Sequence, residues 1–241
     1  MKFSGAAFGT QRPILFRGRC MRPDKKKALF VARKIFAELV FDTQKLEGMP
    51  FTFPEVQTFI QGITVGGHKI SDAEKLKQQV LGWEALLGLA ESGKFEISKE
   101  VACDLQAVIA KDEALEIGRF WSGQVGIAGT DYSPPKPDEL EAAFQSVMET
   151  IEAEESIAVQ GYLLHLLFAR SQFFYDGNKR TGLLMMNGHL LSNGYPPMSI
   201  PAKLLAEYNS GMIEYYESGD PENMLAFLKG CHEKLAAKFD F

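Results

Sequence analysis

Residues 171–184, SQFFYDGNKRTGLL, bring together several groups that are capable of chemistry. Within five positions, from Asp176 to Arg180, the chain carries an acid, a glycine, an amide and two cations. Glycine lets the backbone turn and approach a ligand closely, and arginine binds phosphate through two parallel hydrogen bonds. One carboxylate is sufficient for a magnesium site when phosphate oxygens supply further ligands. The pattern therefore predicts a loop that binds a polyphosphate with Mg²⁺.

The loop lies between two segments with helical patterns, residues 156–170 and 178–192. A helix N-terminus exposes unpaired N–H groups and binds anions readily, so the second helix begins where phosphate binding is expected. The loop is not a Walker A motif, because Leu183 and Leu184 occupy the positions of its lysine and Ser/Thr, and no strand precedes it. An ordinary polar turn between two helices is the alternative interpretation.

Most of the remaining chain has the apolar periodicity and the start and stop residues of helices. Further helices are predicted over residues 25–40, 54–62, 71–89, 98–117 and 137–154. Residues 118–135, GRFWSGQVGIAGTDYSPP, differ from these because they are rich in glycine and aromatic residues and show short alternations. Such a segment is typical of a small hairpin. We therefore expect an all-α domain with one β-hairpin.

Composition and charge limit the classes of function. The three cysteines are widely separated and the first twenty residues lack a continuous apolar block, which favours a cytoplasmic protein. No apolar run is long enough to span a bilayer. The net charge of −5 conceals a basic region, residues 1–40 at +8, and an acidic remainder at −13. Because no aromatic residues alternate with these cations in a base-stacking pattern, nucleic-acid binding is disfavoured.

The loop resembles the signature of the Fic family, which reads HPFxDGNGRxGR, or HxFxDGNKRT in some members. The matching residues run from Phe174 to Gly182. GQVGIAGTDYSPPKPDEL resembles the flap and the proline-rich loop of that family, and NGYPP matches its GYPP motif. His165, seven residues before Gln172, matches a histidine often seen at that offset. Together these similarities cover most of residues 40–230.

The resemblance implies an all-α Fic fold with a hairpin flap and, for members with an intact signature, transfer of AMP from ATP to a hydroxyl of a target protein. ATP and Mg²⁺ are the cofactors implied, and Asp176 is the implied metal ligand. The implied phosphate-binding residues are Gly177, Asn178, Lys179, Arg180, Thr181 and Gly182. The implied flap, which docks a protein target as an added strand, consists of Gln124, Val125, Gly126, Ile127, Ala128 and Gly129. Analogy also assigns Asn187 and Tyr195 to adenine contacts.

Two positions depart from the family pattern. Gln172 stands where the family has its catalytic histidine, and Leu183 replaces the second arginine. Because an amide does not act as a base near neutral pH, the site lacks a contribution that is typically ~10²–10⁴-fold. We therefore expect a degenerate member, a pseudoenzyme that binds ATP phosphates and Mg²⁺ without efficient transfer. The alternatives are an active or residually active protein adenylyltransferase and a phosphotransferase like the Doc branch, which shares the NKRT run.

TQKLEG at residues 43–48 matches the inhibitory helix motif of Fic proteins, [S/T]xxxE[G/N]. Its residues are Thr43, Glu47 and Gly48. In the family this glutamate pairs with the second signature arginine, which Leu183 removes here. Glu47 is therefore expected either to reach Arg180 or to have lost this role. The expected organisation is an N-terminal helical region with this motif, residues 1–95, and a Fic core, residues 96–241, in a bacterial-type protein that pairs as a homo-oligomer.

Overall fold

The computed structural model describes residues 21–123 and 125–241. These residues form ten α-helices and two short 3₁₀ turns, Pro137–Glu139 and Ala202–Leu204. The helices are α1 (Lys25–Lys34), α2 (Phe36–Leu46), α3 (Phe53–Ile60), α4 (Ile70–Ser92), α5 (Lys99–Ile109), α6 (Leu140–Ala153), α7 (Ile157–Ser171), α8 (Asn178–Ser192), α9 (Leu205–Ser218) and α10 (Glu222–Lys238). The all-α fold class predicted from the sequence is confirmed.

Local chemistry accounts for where several helices begin and end. The side chains of Asp24, Ser98 and Ser156 accept hydrogen bonds from backbone N–H groups at the starts of α1, α5 and α7, which satisfies donors that have no partner inside the helix. At α3, the Thr52 backbone N–H donates to Glu55, as in a capping box. The N-termini of these four helices are therefore encoded by nearby residues.

The antiparallel pair α7 and α8 forms the centre of the molecule. Helix α8 is buried on almost its whole circumference, and α4, α5 and α7 pack against it, while α6 and α10 pack against α7. The buried residues of α8 are not all apolar: Asn178, Arg180 and Asn187 are buried too, and each is hydrogen-bonded within the protein. The buried residues form one continuous core that includes Leu39 and Trp83 as well as Phe168 and Leu184. The loop between α7 and α8 is thereby held by the best-packed part of the fold.

The observed helices differ from the predicted bounds by a few residues in most cases, and two predictions differ by more. The segment predicted as one helix over residues 25–40 is two, because Ile35 leaves helical geometry at φ −103° and ψ 20° and separates α1 from α2. The helix predicted over residues 98–117 ends at Ile109. A turn follows, and the side chain of Gln106 accepts from the Gly118 N–H at 2.7 Å, which replaces helical hydrogen bonding in this segment.

The predicted hairpin is not seen among the described residues. Residues 118–123 and 125–135 contain bends and turns and no strand, and Gln124 lies outside the described residues. Val125 and Ile127 are half-buried while Gly126 and Ala128 are exposed, an alternation typical of an extended chain on an apolar surface. No helix in the described parts of the chain has the length and apolarity required to cross a membrane.

Candidate phosphate-binding site

Helix α7 ends at the position that the family resemblance assigns to the base. Gln172 has φ 49° and ψ 55°, a left-handed conformation that costs a non-glycine residue about 1 kcal/mol. Its Nε2 donates to Ala169 O at 2.6 Å, and its Oε1 accepts from Asn178 Nδ2 at 3.0 Å. The amide is therefore bonded at both ends within the loop. Phe173 and Phe174 follow and are fully buried.

Asn178 connects the two sides of the loop. Its Oδ1 accepts from the Phe174 N–H at 2.9 Å, and its Nδ2 donates to Phe174 O at 2.6 Å as well as to Gln172. Since Asn178 is buried, these bonds satisfy backbone groups that water does not reach. The amide expected to bind phosphate through its side chain thus holds the loop together.

Trp121, at the base of the flap segment, also holds the loop. Its backbone N–H donates to Phe173 O at 3.0 Å, and its indole Nε1 donates to Gln172 O at 2.5 Å. Phe120, the preceding residue, stacks on Phe173 with ring centroids 4.8 Å apart. The flap segment and the signature loop therefore share one anchoring point.

Glycine is required at two positions around the start of α8. Gly177 has φ 82°, and a Cβ there would lie 3.1 Å from the Cβ of Ala110. A Cβ at Gly182 would lie 2.9 Å from His165 O and from the Cβ of Phe168. The first glycine forms the turn into the helix, where the N–H groups of the first turn have no helical partner. The second lets α8 approach α7, so Gly182 lies in a helix contact, and the neighbouring Thr181 is fully buried.

Arg180 is the most densely bonded residue of the site. Its side chain is 3% exposed, and its Nη1 donates to Ile109 O at 3.0 Å and to Glu113 Oε1 at 2.6 Å. Its Nη2 donates to Asp176 Oδ1 at 2.9 Å. Burial by itself would lower the pKa of Arg180. The negative charges of Glu47 and Glu113 raise this pKa by more than burial lowers it, so the net pKa is above the ordinary value. The guanidinium is charged and held by carboxylates on several sides.

Glu113 was missed by sequence reasoning. It lies in the turn after α5, and besides Arg180 it bonds Lys75 of α4, with Oε2 2.8 Å from Nζ. Burial raises the pKa of Glu113, but Arg180 and Lys75 outweigh this, and the net pKa is below the ordinary value. Nothing in the local run KDEALE distinguishes Glu113 from its acidic neighbours, because the contact depends on how α5 and α8 cross.

Glu47 does reach Arg180, which answers the question that the sequence left open. Its Oε2 lies 3.5 Å from Arg180 Nε, and its Oε1 lies 3.7 Å from Lys179 Nζ. These residues border a small cleft that Leu183 and Tyr208 also line. Thr43, the first residue of the motif, accepts from Trp83 Nε1 at 3.1 Å and donates to Leu39 O, while Gly48 has φ 68° and follows the end of α2. The motif is thereby positioned against the start of α8.

The charges at this site balance. Three carboxylates, Asp176, Glu113 and Glu47, lie among three cations, Arg180, Lys179 and Lys75. A phosphate therefore meets no net positive charge in this arrangement, although individual donors remain. Arg180 Nε is buried and makes no hydrogen bond among the described residues. A buried donor without a partner carries a desolvation penalty that an incoming oxyanion would remove.

The four histidines of the chain are all hydrogen-bonded at other places in the structure. His165 is fully buried and bonds Tyr208 Oη at 2.9 Å, and burial lowers its pKa to about 3. His189 bonds Gln160, His232 bonds Tyr162 and Pro196 O, and His68 bonds Glu55. None of the four forms a hydrogen bond with Gln172. The hydrogen-bond partners found for Gln172 in the described residues are Phe168 O, Ala169 O, Asn178 and Trp121.

Two residues assigned to adenine by analogy lie in different surroundings. Asn187 is fully buried and donates to Leu183 O and Met198 O, and its Oδ1 accepts from the Met198 N–H. These bonds join α8 to the chain segment after it, which explains an asparagine at this position without a ligand. Tyr195 is half-buried in that segment.

The side chains at this site could hold Mg²⁺ only if a bound phosphate supplied further oxygen ligands. The described residues contain no group of three or more His, Cys, Asp or Glu side chains arranged to hold a metal. Asp176 presents one carboxylate, 47% exposed, whose Oδ1 accepts from the Gly177 N–H and from Arg180. Mg²⁺ is commonly held by one or two carboxylates plus phosphates and water. Asp176 is therefore suited to supply one carboxylate ligand, with phosphate and water as the others.

Comparison with known proteins relates the part of the chain that contains this loop to one protein family. Residues 96–190 match the Fic/DOC family. Proteins named "Protein adenylyltransferase Fic" from Drosophila ananassae and Drosophila melanogaster are 26% and 25% identical over 223 residues, which is 89% of this chain and 42% of each relative. The chain thus spans less than half the length of these relatives.

Solved structures share the fold. A Fic domain containing signaling protein from Bacteroides thetaiotaomicron has a TM-score of 0.74 at 20% identity, with 90% of each chain covered. Fic-1 (residues 134–508) from C. elegans has a TM-score of 0.72 at 18% identity, with 88% of this chain and 64% of that chain covered. Residues 96–190 of this chain therefore match the Fic/DOC family, and the chain shares its fold with these solved structures.

Proposed function

We propose that this site binds the phosphate groups of ATP together with Mg²⁺ and does not transfer AMP efficiently. The observation that carries the proposal is Gln172, a neutral amide at the position the family resemblance gives to the base, bonded to Ala169 O and Asn178. A neutral amide accepts hydrogen bonds but is too weak a base to take a proton at neutral pH, and general-base catalysis is typically worth ~10²–10⁴-fold. The site would therefore retain binding after losing most of its chemistry.

Three features of the structure support binding. The first turn of α8 supplies N–H groups that lack helical partners. Arg180 has a buried, unbonded Nε, and Asp176 has an exposed carboxylate beside it. When bound with ATP, Mg²⁺ would neutralise phosphate charge, and Asp176 is the residue that would hold it. Glu47 occupies the Arg180 Nε side, so in this proposal it competes with a phosphate oxygen for that edge.

Residual AMP transfer is the second candidate function. It is favoured by the names of the relatives, which are protein adenylyltransferases. A glutamine amide is able to orient a hydroxyl by hydrogen bonding, and orientation alone accelerates a reaction without a base. In this reading, the flap residues 125–129, which end in a turn at 128–129 and have no strand partner among the described residues, dock a target chain by main-chain pairing.

The test is label transfer from α-labelled ATP with Mg²⁺ into protein in a cell extract, with the natural chain beside Gln172→His and Gln172→Asn. Under the lead proposal, Gln172→His labels protein at least ~10²-fold faster than the natural chain, and Gln172→Asn remains as slow as the natural chain. Equal rates for the natural chain and Gln172→His would overturn it in favour of the second candidate. A parallel reaction with γ-labelled ATP distinguishes phosphate transfer from AMP transfer.

A further inference from the structure

The nitrogens of the Arg180 guanidinium differ in how they are bonded: Nη1 makes two hydrogen bonds, and Nε makes none among the described residues. Nη1 uses both of its N–H groups, on Ile109 O and on Glu113. Nη2 donates to Asp176, and Nε lies 3.5 Å from Glu47 without forming a hydrogen bond in the described part of the chain. Arginine grips an oxyanion through two neighbouring nitrogens. Because Nη1 is fully used, the edge left for a phosphate is the one formed by Nε and Nη2.

The anchor belongs to the end of α5. After Ile109 the chain turns back, and the N–H groups of Glu113 and Ala114 donate to Ala110 O at 3.1 and 3.0 Å. Ala110 packs beneath Gly177, where a Cβ would be only 3.1 Å away. One turn earlier, Gln106 Nε2 donates to Asp176 O at 3.1 Å. This turn is therefore fitted to the start of α8 at several points, and Glu113 is its charged contact.

Glu113 is itself held in place. Its second carboxylate oxygen lies 2.8 Å from Lys75 Nζ, and its side chain is 12% exposed. Arg180 and Lys75 keep the pKa of Glu113 below its ordinary value against the effect of burial, so the carboxylate is charged at neutral pH. A charged acceptor forms a shorter and stronger bond to a guanidinium than a neutral one does.

Resting on the proposed function, we propose that Glu113 is a positioning residue that fixes Arg180 with its Nε–Nη2 edge available to a phosphate, and that Lys75 holds Glu113 in turn. The opposite role would be competition, in which Glu113 occupies a donor that the phosphate needs. The structure argues for positioning, because Glu113 shares Nη1 with a backbone carbonyl that belongs to the folded helix end. The two roles predict opposite effects of removing the carboxylate.

The experiment is a calorimetric titration of the full chain carrying Glu47→Gln with Mg·ATP. Adding Glu113→Gln is expected to weaken binding about tenfold, the size of loss found when outer partners of metal ligands are removed, and Glu113→Asp is expected to recover part of it. Asp104→Asn, an equal charge change at an exposed position of the same α5 helix, is expected to leave the affinity unchanged. Unchanged or tighter binding by Glu113→Gln would overturn the proposal.

A double-mutant cycle with Arg180→Lys separates positioning from general damage. If Glu113 acts through Arg180, Glu113→Gln has no further effect on the affinity of the Arg180→Lys chain. An equal loss in both backgrounds would contradict the proposal.

A second measurement needs no nucleotide. The guanidinium protons of Arg180, observed by nitrogen-edited NMR, are expected to exchange slowly in the natural chain and at least tenfold faster in Glu113→Gln. If no variant binds ATP, the proposed function fails, and this exchange rate then decides whether Glu113 fixes Arg180. Equal exchange rates in the two chains would overturn the positioning role.

Discussion

The two ends of the signature loop are built from different kinds of interaction. At the Gln172 end, neutral groups are joined by hydrogen bonds. The Gln172 amide donates to Ala169 O, the Trp121 indole donates to Gln172 O, and the Asn178 amide donates to Gln172 Oε1. At the Arg180 end, a buried guanidinium is surrounded by Glu113, Asp176 and Glu47. Only seven residues separate Gln172 from Arg180.

The difference indicates which property each end requires. The neutral hydrogen bonds at the Gln172 end hold the backbone of the loop in place. They provide no group that could accept a proton in catalysis. The ion pairs of the Arg180 end cost desolvation energy and are retained only with good geometry. In a site that had lost all ligand binding, replacing such a cluster with well-packed apolar residues would often be neutral or stabilising. Retention of the charged end beside a neutral catalytic position is the pattern expected of binding without efficient transfer.

The largest expected effect is a difference in the free energy of unfolding between substitutions at Arg180 and at Gln172. Arg180→Met leaves three carboxylates, two of them largely buried, without their shared cation, and is expected to lower the free energy of unfolding by about 3–5 kcal/mol. Gln172→Ala removes only neutral bonds and is expected to cost about 1 kcal/mol. Urea denaturation of both variants measures the difference. Equal costs would show that the charged cluster is no more important to the fold than the neutral one.

The next largest expected effect on the free energy of unfolding comes from Asn178, which bonds the Gln172 side chain and the Phe174 backbone. Asn178→Ala removes the partners of the Phe174 N–H and C=O, both in a buried loop, and is expected to cost about 2 kcal/mol in unfolding free energy. Asn178→Asp keeps the acceptor and loses the donors, so an intermediate cost is expected in the same denaturation assay. If Asn178→Ala is as stable as the natural chain, the loop does not depend on this side chain.

The third prediction uses pH. The native pKa of Glu113 lies below its unfolded value, so its contribution to stability is present above about pH 4.3 and is lost as pH falls through the native pKa. The stability difference between the natural chain and Glu113→Gln is therefore expected to shrink below about pH 4.3. The corresponding difference for Gln172→Ala, which involves no titrating group, should remain constant. Denaturation between pH 6 and pH 3 gives both curves, and parallel curves would refute the prediction.

The smallest effect concerns Glu47. Because its contacts with Arg180 and Lys179 are 3.5 and 3.7 Å long, Glu47→Gln is expected to change stability by less than about 1 kcal/mol. It is expected to tighten Mg·ATP binding about fivefold by freeing the Arg180 Nε edge, an effect of about 1 kcal/mol. Glu38→Gln, on the exposed side of α2, is the matched control. Weaker ATP binding by Glu47→Gln would show that Glu47 assists the ligand.

Much of the fold could be predicted from local sequence, and the part that could not depends on tertiary contacts. The helix over residues 178–192 was predicted with the bounds observed for α8, because Gly177 and Gly194 border it. The early end of α5 was missed because Gln106 replaces helical bonds with a contact to Gly118. The residues of the candidate loop follow from a contiguous motif. Glu113 lies in the turn after α5 and Lys75 lies in α4, and neither has a local signature.

The measurement that tests binding without transfer most directly uses α-labelled ATP, Mg²⁺ and the natural chain in cell extract, with each sample divided in two. One half is passed through a filter to measure reversibly bound nucleotide, and the other is precipitated with acid to measure covalent label. We predict reversible binding that Arg180→Lys weakens, and acid-stable label at least ~10²-fold slower than in Gln172→His. Acid-stable label at the rate of Gln172→His, or no reversible binding, would contradict the account.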